Sequence, residues 1–136
     1  METHGFLAPE TETETRDRYE AVGPAAQTVV KETAKAMAFG PDEYDERVTG
    51  EVIETARDAL FASLLEVRTG TREEYEEWLA DRDREVLEEG AENVDNVAWH
   101  DALGETAVAA TYQSEERAAV ATLRRQAFGR VYRELL

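Results

Sequence analysis

Ala59-Leu60-Phe61-Ala62-Ser63-Leu64-Leu65 is the stretch on which the fold turns. Wound as a helix it is apolar nearly all round, broken only by Ser63, and such a helix belongs at the centre of a structure. Upstream, Tyr44, Val48, Val52, Ala56, Leu60, Leu64 and Val67 recur at steps of three or four, which predicts helix over 42–69. Unbroken, that helix would be about 42 Å long at 1.5 Å per residue. Thr49-Gly50 is where a break is expected.

Before this element, Gly23-Pro24 marks a helix start, since proline suits a first helical turn. Val22, Ala26, Val29, Val30, Ala34, Met37 and Ala38 follow at helical spacing, and Gly40-Pro41 closes the run. After it, Gly70 is expected to cap the central helix. Thr71-Arg72-Glu73-Glu74 then fits a capping box, with Tyr75, Trp78 and Leu79 facing inward. The segment 85–89 suits either the end of that helix or a strand. From Val94 the period shortens: 96–100 and 106–112, parted by a turn containing Gly104, predict a small antiparallel β-hairpin near 94–112. A last helix is expected over 114–135, with Ser114 as its N-cap. The expected architecture is one domain over 1–136, mostly α (α+β). Four to five helices pack around the central buried helix, the hairpin is attached, and 1–10 form a flexible acidic leader.

Composition sets the solution in which this fold must work. The chain has 136 residues, 31 of them Asp or Glu against 15 Lys or Arg, a net charge of −16. A hydrophobic share of 42% argues against global disorder. Twenty-one of these residues are Ala and one is Ile, Ile53, so the core rests on Leu, Val and 11 aromatics. With no Cys, a disulfide scaffold, a thiolate nucleophile and a Cys-ligated metal are excluded. No apolar run approaches the roughly 18 residues of a membrane span. The acidic start has no apolar core to serve as a signal peptide, so a cytoplasmic protein without a membrane partner is expected. Thirteen of the 15 bases are Arg, and the only Lys are Lys31 and Lys35. High acidity with scarce Lys, scarce Ile and abundant Ala reads as adaptation to molar salt. A charge of −16 opposes compaction, and at 1 M salt the Debye length falls to about 3 Å.

Four segments carry a resemblance: Gln27-Thr28-Val29-Val30-Lys31-Glu32, Asp45-Glu46-Arg47-Val48-Thr49-Gly50, Asn93-Val94-Asp95-Asn96-Val97-Ala98-Trp99-His100 and 119–130. In these the chain resembles a family of small acidic haloarchaeal proteins, a domain of unknown function. The resemblance implies no activity, cofactor or catalytic residue.

Candidate chemistry is sparse. The histidines are His4, in the leader, and His100, beside Asp101. Neighbouring strand residues face opposite ways, so His100 is a weak candidate and is expected to be structural. Glu73, Glu74, Glu76 and Glu77 attract hard cations but read as a solvated face. No metal, cofactor or catalytic residue is assigned. Ser63 lies in the buried segment, and the eight glycines form no phosphate loop.

The last helix departs from this background. Arg117, Arg124, Arg125, Arg130 and Arg133 fall in a stretch with no acid. At 100° per residue, Val120, Leu123, Ala127, Phe128, Val131 and Leu135 define its apolar face, with Arg117 and Arg124 inside it. Ala118, Thr122 and Gly129 make a second face of small residues. Three uses compete: pairing of Arg117 and Arg124 with carboxylates of the same fold, an intermolecular surface, or contact with a small anion or nucleic acid. The −16 field opposes nucleic acid. The preferred function is a non-enzymatic, salt-adapted interaction or structural protein that self-associates as a homodimer through this helix. The alternative is an Arg-lined anion or nucleic-acid site, with an enzyme third.

Overall fold

The computed structural model describes residues 1–91 and 93–136. Its central helix is shorter than the apolar period implies. A short helix, Pro41–Arg47, precedes it, and the chain breaks at Val48-Thr49. Thr49 then caps Gly50–Leu64, its hydroxyl accepting from the Val52 amide. We number the helices α1 (Glu12–Ala21), α2 (Gly23–Ala36), α3 (Pro41–Arg47), α4 (Gly50–Leu64), α5 (Arg72–Ala80) and α6 (Glu116–Ala127). The strands are β1 (Glu2–His4), β2 (Val67–Thr71), β3 (Glu85–Glu89), β4 (Asn96–Ala102) and β5 (Thr106–Tyr112).

The mostly-α architecture with a small hairpin is overturned. The five strands form one mixed sheet in the order β1-β2-β4-β5-β3. What was expected as a hairpin near 94–112 is the middle of that sheet. β4 pairs antiparallel with both β2 and β5, while β3 runs parallel to β5 with Val86 opposite Ala107. Two strands alone are marginal in water, and this pair gains its stability from cover on both faces. The segment 85–89 is strand, and Gly90 turns the chain away from it at φ 106, where a Cβ would meet the Thr111 hydroxyl. Residues 65–69, expected as the end of the central helix, leave it after Leu64, and 67–69 enter β2. Val67 and Thr69 point to the buried side, and Gly70 lies in the strand rather than at a cap.

Strand alternation divides the core in two. On one face Val67, Ala98, Ala102 and Val108 meet Phe61 and Leu65 of the α4 end and Val120, Leu123 and Ala127 of α6. On the other, Val97, Trp99, Ala107 and Ala109 lie under Tyr75 and Trp78 of α5. The capping box at Thr71 and Glu74 is present in both directions and starts α5 where the sequence predicts.

The first ten residues are part of this construction. β1 pairs antiparallel with β2, with Glu2 opposite Thr69 and His4 opposite Val67. Gly5 then takes φ 83, a conformation that suits glycine, and a Cβ there would stand 2.7 Å from the Leu65 carbonyl oxygen. The amides of Phe6 and Leu7 donate to the Leu64 carbonyl at 3.2 and 2.9 Å, capping the end of α4 from a distant segment. Leu7 is buried beneath them. Among the described residues, no helix is long and apolar enough to cross a membrane.

Candidate functional site

α6 has an inner side, an outer side and an N-terminal end, and each positions different chemistry. It starts at Glu116 with Glu115 before it, and no side chain caps it; Ser114 does not serve as the cap. At its other end the helix widens into one π turn, Phe128–Tyr132, in which the Arg133 amide reaches the Phe128 carbonyl. A π turn inserts one residue and re-aims the side chains after it. Here it turns Tyr132, fully buried, onto His100, with the hydroxyl 2.6 Å from Nε2.

His100 itself is sealed in the core. Its Nδ1 lies 2.7 Å from the Glu66 carbonyl oxygen. A carbonyl can only accept, so Nδ1 carries the proton and Nε2 accepts from Tyr132. Both nitrogens are satisfied by the neutral ring. Burial, the largest influence, pushes the His100 pKa down and the Tyr132 pKa up. This arrangement leaves neither nitrogen for a ligand and makes the pair a structural bridge between β4 and the C-terminal turn.

The five arginines do not converge. Arg124, on the inner side, donates its Nε hydrogen to the Leu65 carbonyl at 2.9 Å, and burial lowers its pKa. The expected carboxylate partner is replaced by the unsatisfied carbonyl end of α4. Arg130 pairs with Glu89 of β3, which also accepts from Gln126 at 2.8 Å. Arg133 stacks over Phe128, with its guanidinium carbon 5.5 Å from the ring centre. Arg125 donates to the Thr122 hydroxyl at 3.3 Å. Arg117, expected on the apolar face, is exposed. Among the described residues, Arg117, Arg125 and Arg133 have no carboxylate partner, the ion pairs of this helix and its π turn being that of Arg130 and the His4 contact of Glu116.

The outer side is open. Ala118, Thr122 and Gly129 are exposed, and a Cβ built on Gly129 meets nothing within 4 Å. Ala118, Ala119 and Thr122 line a groove of about 290 Å³ against Ala110 and Tyr112 of β5. A second apolar groove, of about 280 Å³, lies between α2, α3 and α4, where Val29, Met37 and Val52 are exposed.

At the N-terminal end, Glu116 meets β1 and β2. His4 Nε2 is 3.2 Å from Glu116 Oε1 and 3.7 Å from Glu2 Oε2. The Thr69 hydroxyl, buried to 3% exposure, donates to Glu116 Oε1 at 2.7 Å and lies 3.3 Å from His4 Nε2. Thr69 first, then His4, hold the Glu116 carboxyl below its ordinary pKa. Sequence reasoning set His4 aside in a mobile leader. The signal that finds it is the alternation Glu2-Thr3-His4, which puts an acid and an imidazole on one strand face.

Residues 6–133 match a family described as a family of unknown function (DUF5809). No curated protein and no solved structure matches the chain.

Proposed function

We propose, for a chain that belongs to this family of unknown function, a protein that works by association, two copies meeting across the outer side of α6 in molar salt. The observation that carries this reading is the contrast within one helix. Ala118, Thr122 and Gly129 stay exposed while the opposite side is buried, and Arg117, Arg125 and Arg133 beside them form no ion pair among the described residues. A second copy brings 31 acids, so unpaired arginines are where two strongly negative chains can attract. Salt screens the remaining repulsion. A two-fold axis lets each arginine row meet the partner's acids twice, and two-fold dimers are the commonest soluble oligomers. The Arg-lined anion or nucleic-acid site is the weaker reading, because Arg124 and Arg130 are engaged with Leu65 and Glu89.

Gly129→Gln tests the association. The added side chain enters open space in the lone chain, so folding should be unharmed, whereas in the dimer it would wedge the contact. Sedimentation in molar KCl should show the variant's dimer constant weakened at least tenfold beside an unchanged or raised melting temperature. Wild type and variant sedimenting as the same species would refute the interface.

A further inference from the structure

We propose that Glu2, His4 and Glu116 form a binding site for one divalent cation of the zinc class, at the junction of β1 and α6. This site is independent of whether two copies associate.

The fold brings the three groups together for identifiable reasons. Glu2 and His4 stand two apart on an extended strand and so share a face. Their register against Thr69 and Val67 sets that face on the α6 side of the sheet. Glu116 is the first residue of α6, delivered to the same corner by the turn after β5. The ligand-capable atoms, one imidazole nitrogen and two carboxylate oxygens, all lie within 4.8 Å of one another. A tetrahedral zinc ion with arms of about 2.0–2.1 Å has ligand–ligand edges of about 3.3 Å. The His4–Glu116 and His4–Glu2 separations, 3.2 and 3.7 Å, already lie close to that edge.

Thr69 makes this more than a cluster of acids. It is nine-tenths buried, on a different strand, and its hydroxyl holds Glu116 Oε1 at 2.7 Å. Metal-ligating carboxylates are oriented by this kind of outer hydrogen bond. The charge balance also points to a divalent ion. Two carboxylates converge here, and among the described residues His4 is the one basic side chain within ion-pair distance of both. A dication would neutralise both and leave His4 as a neutral ligand, releasing whatever proton Nε2 carried.

Selectivity follows from the imidazole. Oxygen ligands alone would favour the hard cations abundant in brine, whereas a nitrogen beside two carboxylates shifts preference towards zinc and its neighbours. Three protein ligands leave a coordination position for solvent. The bound ion would also tie the edge strand β1 to the start of α6.

The untagged full chain, stripped of metal and held in molar KCl, is titrated with ZnCl2 by calorimetry and with CoCl2 by visible absorption. The expected result is one ion per chain, with the intense cobalt band of a four- or five-coordinate site. His4→Ala and Glu116→Gln should each weaken binding at least tenfold. Glu73→Gln on α5 should leave it unchanged. Because His4 and Glu116 also contact each other, every variant is melted with and without zinc. Zinc should raise the melting temperature of wild type and of Glu73→Gln but not of the two site variants. Absence of saturable binding, or a zinc response in His4→Ala equal to wild type, would overturn the proposal.

Discussion

On its inner side α6 lays Val120, Leu123 and Ala127 against the sheet and the end of α4, and its arginine there gives a hydrogen bond to the Leu65 carbonyl. On its outer side, small residues face solvent, and Arg117, Arg125 and Arg133 form no ion pair among the described residues. Bulky apolar residues mark the inner side and small ones the outer, but the sequence puts arginine on both. What separates them is the set of groups within reach. Inward, α4 ends in carbonyls that need donors, and Arg124 supplies one. Outward there is water, and the charges stay available for a second molecule. An arginine on a helix wheel thus has a face but no fate until its acceptor is known.

The sharpest break between the sides is expected from a matched pair of truncations. Leu123 is fully buried, so Leu123→Ala should cost about 2–5 kcal/mol. Thr122→Ala, next in sequence but outward, should stay within about 0.5 kcal/mol. Denaturant titration of both at one salt concentration reads the difference. Equal losses would mean that the outer side is packed after all.

A smaller effect is expected at the bridge behind the helix. Tyr132→Phe leaves His100 Nε2 buried without a donor, a loss of about 1–3 kcal/mol. The sign of the pH dependence follows from the depressed His100 pKa. The native state prefers the neutral ring, so its contribution is complete above the ordinary value of 6.5. It is lost as the pH falls below that value and the unfolded chain takes up the proton. Melts from about pH 8 to pH 5 should therefore fall more steeply for wild type than for His100→Gln. Parallel curves would count against a sealed neutral histidine.

The capping box at Thr71 was legible because its signal is local, two polar residues three apart. β2 was not: Leu64 and Val67 continue the helical step of three, and nothing in that spacing says that the chain leaves the helix at Leu65 to join a sheet. β1 carries no apolar pattern in Glu2-Thr3-His4 and exists because β2 offers it a free edge. The parallel pairing of β3 depends on a crossover that no local window contains. At the candidate sites the same division holds. The wheel gives Arg124 its inward face, but its acceptor ends another helix 59 residues away. His4 and Glu116 are 112 residues apart, and only the sheet register brings them together.

The mildest substitution is Gly129→Ala. It adds a methyl to open space and removes the conformational freedom of a helical glycine, so the lone chain should gain up to about 1 kcal/mol. Thermal melts at low protein concentration, where any dimer has dissociated, read this gain; a loss there would place Gly129 in a contact within its own chain.

The central claim is that the outer side of α6 joins two copies. Light scattering across an eluting peak, at high protein concentration and in molar KCl, tests it most directly. The account predicts about twice the chain mass, falling towards one chain mass as salt is withdrawn and the −16 charges repel over a longer Debye length. A single chain mass at every salt concentration would contradict it.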